Sequence, residues 1–312
     1  MNPSARLRGP RIVGVLSILA VAAAMSSAAA QKKVLIVRSG NFPPYQAAVD
    51  GFVEELNSHQ IPFVTEDLIL PKEEADIGAF LRDVRARRPD LVLTLGTSAA
   101  RAIKEGGEGL PFVYGMIVDP PSIGIVTGGA TMEVRPSEQL DFIRANFPSF
   151  KKVGVIHSTA RNREVVRLLQ EEKPPDIELK MITADTPEEM NKAIGTLSKE
   201  ADCLLMVSDS LLYSPQIATQ IILDTLRCNL PIIAVSPSFV KAGALAAVYP
   251  DFKGNGIVAA DVAIRFFAGE SLSSIPIQWA GRTRTSVNQI IAQRLRIAIK
   301  AKTLQEADEV VR

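Results

Sequence analysis

Short β-branched runs alternate with amphipathic stretches along nearly the whole of this 312-residue chain. That alternation restricts the fold more than any other feature. Runs at 33–38 (KVLIVR), 61–68, 90–95 (DLVLTL) and 111–118 (PFVYGMIV) predict strands, with helices over 45–58, 73–87 and 98–105 between them. A second series predicts strands at 152–157, 177–182, 203–207 and 231–235, with helices at 161–172, 187–199 and 215–227. Strands that are apolar throughout and spaced by helices belong in parallel sheets covered on both faces. The fold class is therefore α/β, with doubly wound sheets. Asp119-Pro120-Pro121 and the Gly-rich stretch 124–129 interrupt the alternation and read as a connector. Placing every strand in one sheet would make it large, whereas two sheets of roughly four or five strands fit ordinary domain sizes. Two lobes are expected.

The first thirty residues read as an export signal. Arg6, Arg8 and Arg11 precede an apolar run at 12–24, too short for a bilayer span of about 20 residues, and Ala28-Ala29-Ala30 fits a small-residue cleavage site. Cleavage near Ala30 after Sec export would place the chain in the periplasm or another extracytoplasmic space. The formal net charge is +1, with both signs well mixed. A nucleic-acid partner would need a basic face, so none is expected. Two cysteines, Cys203 and Cys228, could form one disulfide in an oxidising compartment. A predicted strand starts at the first and a helix running back along it ends at the second; two free thiols are the alternative. The two histidines, His59 and His157, are too few for a zinc site of the usual His/Cys kind.

Ligands of open parallel sheets bind outside the carboxyl ends of the strands. The residues there are Ser39 and Asn41 after the first strand, Gly96-Thr97-Ser98 after the third and Asp119 after the fourth. In the second series they are His157-Ser158, Asp209-Ser210 and Ser236. Gly96-Thr97-Ser98 opens a helix, whose free N–H groups suit an anion, although Ser and Thr also favour helix caps for purely local reasons. Asp119 and Asp209 are suited to an ammonium or a set of hydroxyls, and capping is again the alternative. Tyr45 and Phe42 flank the first rim loop; Tyr45 could stack on a ligand. Arg38 and Arg161 could add positive charge to the cleft. No phosphate-loop, dinucleotide or nucleophile-elbow motif occurs. Gly254-Asn255-Gly256 reads as a turn before a helix over 258–268. Neither an enzyme nor a cofactor is expected.

Several segments resemble the ABC-transporter substrate-binding proteins, in the group with tryptophan-binding, TrpX-like members. They are PDLVLTLGTSAARA (89–102), LPFVYGMIVDPPSIGIV (110–126), QLDFIRANFPSFKKVGVIHS (139–158), the stretch 230–270 and 274–288. The chain departs from that family where Arg38-Ser39-Gly40-Asn41 replaces a His-Pro pair, and again within 128–134. The resemblance implies a periplasmic-binding-protein-like fold of type I, its lobes joined by a hinge of three crossings. Lobe one would hold 31–120 plus 244–272, and lobe two 121–243 plus 273–312. It also implies an amino acid held by Thr97, Ser98, Asp119, Asp209 and Ser236. The partners would be a small-molecule solute and an ABC permease in the inner membrane, the protein itself acting as a monomer. A sensing subunit signalling to a membrane histidine kinase would use the same clamp, and an exported α/β enzyme is the remaining alternative.

Overall fold

The computed structural model describes residues 31–161, 163–209 and 215–312. The expected signal peptide and Ser210 lie outside the described residues. The chain runs β1 (Lys32–Arg38), α1 (Pro43–Ser58), β2 (Phe63–Ile69), α2 (Glu74–Ala86), β3 (Leu91–Leu95), α3 (Thr97–Gly106), β4 (Phe112–Ile117), a 3-10 turn at Pro120–Ile123 and β5 (Gly129–Thr131). It continues α4 (Pro136–Asn146), β6 (Lys152–His157), α5 (Arg163–Glu172), β7 (Glu178–Thr183), α6 (Pro187–Glu200), β8 (Cys203–Leu205), α7 (Pro215–Arg227), β9 (Ile232–Ala234), α8 (Pro237–Ala242) and β10 (Ala246–Pro250). The last elements are α9 (Phe252–Phe267), β11 (Thr283–Asn288), α10 (Gln289–Arg294), α11 (Ala301–Glu306) and β12 (Glu309–Val311).

The strands form two sheets, in the orders β2-β1-β3-β4-β5 and β12-β11-β10-β9-β8-β6-β7. The first is parallel throughout. In the second, only the β10–β11 pair is antiparallel. Read from its own first strand, β7-β6-β8-β9-β10 repeats the order of the first sheet. The doubly wound expectation holds in both. Each order reverses beside its first strand, between β1 and β3 and between β6 and β8, which opens a crevice at the strand carboxyl ends.

Local chemistry sets the elements. β1 is a continuous apolar run buried from Val34 onward, as a strand covered on both faces must be. At α6, Thr186 accepts from the Glu189 N–H while the Glu189 carboxylate accepts from the Thr186 N–H, satisfying donors that a helix start leaves open. One face of the first sheet is covered by α1 and α9, through Val49, Phe52, Ala259 and Val262. The other is covered by α2 and α3, through Leu81, Val84, Ala99 and Ile103. A Cβ at Gly256 would lie 1.9 Å from the Ala48 carbonyl, and one at Gly51 2.1 Å from the Lys253 carbonyl. Glycine alone lets α1 and α9 approach this closely. The Gly-Asn-Gly segment is therefore helix interior rather than the expected turn.

The chain passes between the sheets three times. It leaves the first after β5, returns after β10 and leaves again after α9. The passages lie side by side: Thr131 N–H donates to Gln278 at 2.9 Å, and Asp251 N–H to Arg282 at 2.8 Å. The first two fall later than the lobe limits expected from sequence, whereas the third begins at the end of α9, ahead of residue 272. The Asp-Pro-Pro turn does not end the first sheet, because β5 pairs with β4 beyond it. Likewise residues 246–250 belong to the second sheet as β10. The second sheet also exceeds the expected size, since β11 and β12 extend it.

Candidate functional site

Three polar groups sit at the strand ends, and the structure draws them together unequally. On the first sheet, Ser39 Oγ accepts the Ala99 N–H of α3 at 2.9 Å. Gly96 holds φ +92°, and a Cβ there would meet Tyr45 Oη at 2.3 Å and Ser39 Oγ at 2.7 Å. Ser39, Tyr45 and Gly96 thus form one cluster at the start of α3. Burial raises the Tyr45 phenol above its usual range, opposed by its hydrogen bond to Ser39. Thr97 is half-buried beside them, whereas Ser98 and Asn41 are exposed. Phe42, 58% exposed, stacks edge-on against Tyr45. Arg38 does not reach the cleft: it is buried, bonded to Gln46 at 2.9 Å and ion-paired with Asp67.

The second sheet ends in a network that the chain completes for itself. Asp209 is 2% exposed, and its Oδ2 accepts the Ser158 N–H at 3.1 Å and the Ser158 hydroxyl at 2.7 Å. Thr159 donates twice to Asp185, both at 2.8 Å. His157 Nδ1 lies 3.1 Å from the Ser158 carbonyl. Ser236 is half-buried at the start of the short helix α8. Cys203 and Cys228 are free thiols. Cys203 faces the core, where burial holds its thiol well above the usual range, and Cys228 is exposed. A core-facing and a solvent-facing sulfur do not bridge.

The third group was not read from sequence. Glu133, in the first passage, is 7% exposed. Its Oε2 accepts the Thr131 hydroxyl at 3.0 Å, and its Oε1 has no hydrogen-bond partner. Burial raises its pKa to about 7, helped by the nearby Asp119 charge and opposed by the Thr131 hydrogen bond and, more weakly, by one from the Asp119 backbone. The position is set by β4. Met116 takes a left-handed backbone conformation, φ 60°, at a register shift between β4 and β5. Asn255 of α9 stitches the shift closed: its Oδ1 accepts the Met116 N–H at 2.8 Å and its amide donates to the Thr131 carbonyl at 2.8 Å.

Glu133 and Asp119 line a cavity of about 350 Å³ together with Thr131, Glu164 of α5, and Ile277 and Trp279 of the third passage. The end of β5 in the first sheet, helix α5 and two of the passages therefore meet around it. None of its lining residues is basic. Asp119 itself has a left-handed backbone, φ 49°, ahead of the Pro120–Ile123 turn. On its inner side Glu133 also borders a narrow crevice against Gln139, Val207, Ser208 and Val235. A larger hollow, about 600 Å³, lies at the amino ends of β6 and β7 beside Lys151, Lys152 and Lys173, away from the edges where parallel sheets take ligands. Among the described residues, no group of three or more His, Cys, Asp or Glu could hold a metal ion. No helix among them is long and apolar enough to cross a membrane.

Two mostly parallel sheets that share a five-strand order and are joined by three passages are the frame of a two-lobed binding protein. Over residues 33–311 the chain matches the family model described as ABC transporter substrate binding protein. The chain belongs to that family. As an ABC substrate-binding protein it is 24% identical over 280 residues to a tyrosine-binding protein of Clostridioides difficile, covering 83% of this chain and 79% of that one. Its fold resembles the ligand-free, open structure of a Clostridium difficile substrate binding protein with adhesive properties, with TM-score 0.69, 20% identity, and 90% and 99% of the two chains covered. It also resembles an ABC domain from Streptococcus pneumonia in complex with L-Trp, with TM-score 0.61, 18% identity, and 90% and 100% covered. The periplasmic-binding-protein-like fold of type I is thus established for this substrate-binding protein.

Proposed function

We propose that this substrate-binding protein is exported by the Sec route, is cleaved near Ala30, and delivers a small polar solute to an ABC permease of the inner membrane. The solute class is amino acids, the kind of ligand named for the relatives from Clostridioides difficile and Streptococcus pneumonia. One lobe comprises the first sheet with α9, the other the second sheet with β11 and β12, and solute contacting both favours closure. Ser39, Tyr45, Gly96 and Thr97 face the solute from the first lobe and Asp119 from beside the passages. Ser158 and Asp209 shape the opposite rim. The observation that carries this reading is the cavity of about 350 Å³, lined by the end of β5, by helix α5 and by two of the passages.

A solute that binds only the native state stabilises it by RT ln(1 + [L]/Kd), about 2.7 kcal/mol at a hundredfold excess over Kd. For a chain of this size that raises Tm by roughly 5 °C. A thermal-shift screen of amino acids, purines, sugars and organic anions is expected to return such a rise for amino acids. If no small solute raises Tm while a purified membrane partner does, transport gives way to a signalling role.

A further inference from the structure

We propose that Glu133 selects this protein's solute, holding a protonated amine in the cavity beside Trp279. The inference rests on the solute-binding reading above and assigns to it a residue and a ligand chemistry. A buried polar atom is almost always hydrogen-bonded, and an exception calls for a reason. Oε1 of Glu133 is such an exception, on a side chain more than nine-tenths buried that lines the cavity. Its other oxygen is held by Thr131 and the Asp119 backbone adds a weaker hydrogen bond to the carboxyl, so the group is fixed in place while Oε1 is left without a direct partner. The missing partner is a hydrogen-bond donor.

The surroundings specify a cationic donor. The cavity wall carries Asp119, Glu133 and Glu164 and no basic side chain. Glu164 is already engaged by Arg167, at 2.6 and 2.9 Å. Tyr114 of β4 is fully buried, and the Glu133 charge adds to the burial that raises its phenol. From α4 and the segment after β8, Gln139 and Ser208 border Glu133 and are neutral. An anion would therefore enter a field of like charge, whereas an ammonium would supply both the donor and the counter-charge. Trp279, Ile277 and Val126 offer an apolar wall for the rest of the molecule. The acids do not constitute a metal site among the described residues, which leaves an organic cation as the ligand class.

Two matched probe sets test this. One is L-tyrosine, tyramine and 3-(4-hydroxyphenyl)propionate; the other is L-leucine, isoamylamine and 4-methylpentanoate. Binding is followed by calorimetry and by fluorescence of Trp279, the single tryptophan. Within a set that binds, the amine-bearing compounds are expected to bind at least 30-fold more tightly than the des-amino acid. Glu133→Gln is expected to weaken them tenfold or more and Glu133→Asp less. In wild type, affinity should fall about tenfold per pH unit below 7, as the carboxylate takes up a proton. The fall should be absent in Glu133→Gln, whose fold is checked by its thermal unfolding. Binding in two buffers of different ionisation enthalpy should show proton release near pH 6 in wild type alone. The inference is overturned if the des-amino acid binds as tightly as its amines, if Glu133→Gln binds like wild type, or if no amine-bearing probe binds. A sugar or anion that binds while the amines do not would leave the solute-binding reading standing. Silence from every solute would end both.

Discussion

Asp209 and Glu133 are carboxyl groups of nearly equal burial, yet their surroundings treat them differently. Asp209 receives the Ser158 amide and hydroxyl on one oxygen. Glu133 has one oxygen held by Thr131 and the other without a partner. The first is a strut whose hydrogen bonds fix the end of β6. The second is incomplete until something from outside supplies a donor. Burial alone does not separate a structural acid from a ligand-binding one; the tally of its hydrogen bonds does.

The contrast can be broken by substitution. Asp209→Ala should have the largest effect, because it leaves the Ser158 N–H and hydroxyl buried without an acceptor. A loss of about 3–4 kcal/mol is expected, measured by urea unfolding. A change below 1 kcal/mol would remove its role as a strut.

Glu133 should act on stability in the opposite sense, through pH. Unfolded, it ionises near 4.5, whereas folded it keeps its proton to about 7. Between those values the native state holds the extra proton, so the solute-free protein loses stability as pH rises, by up to about 3 kcal/mol in all. Glu133→Gln should remove that dependence and be at least as stable as wild type at pH 8. Matching pH profiles for the two proteins would show that the carboxyl is not held protonated.

The smallest effect is expected at the first rim. Ser39→Ala deletes one neutral acceptor for the Ala99 N–H at the start of α3 and should cost about 1 kcal/mol, also read from urea unfolding. A loss matching that of Asp209→Ala would mean that the two rims are equally dependent on their internal bonds.

These differences bear on what the amino-acid pattern could show. The apolar strands β1, β3, β4, β6 and β8 announced themselves, and with them the residues beyond their carboxyl ends, including Ser39, Asp119, Ser158 and Asp209. What each residue bonds to was not legible, because Asp209 and Ser158 lie fifty-one positions apart. β5 was invisible: Gly-Ala-Thr is too short and too small to signal a strand, and it follows a turn rich in proline and glycine. Glu133 was missed with it. The available signal was a lone acid between Met132 and Val134, polar where a buried passage would be apolar. β11 escaped for a related reason, since Thr-Arg-Thr-Ser-Val-Asn buries only its second half. The Gly-Asn-Gly segment misled because glycine marks turns and close helix packing alike.

The contact between α1 and α9 also governs how the protein can be made. Val49 and Phe52 are covered by Ala259 and Val262, which leave the ribosome only after every strand of the first sheet and most of the second. Until then the nascent first half carries an open greasy flank and cannot settle. Such a delay exposes any product truncated before Phe252 to aggregation and proteolysis.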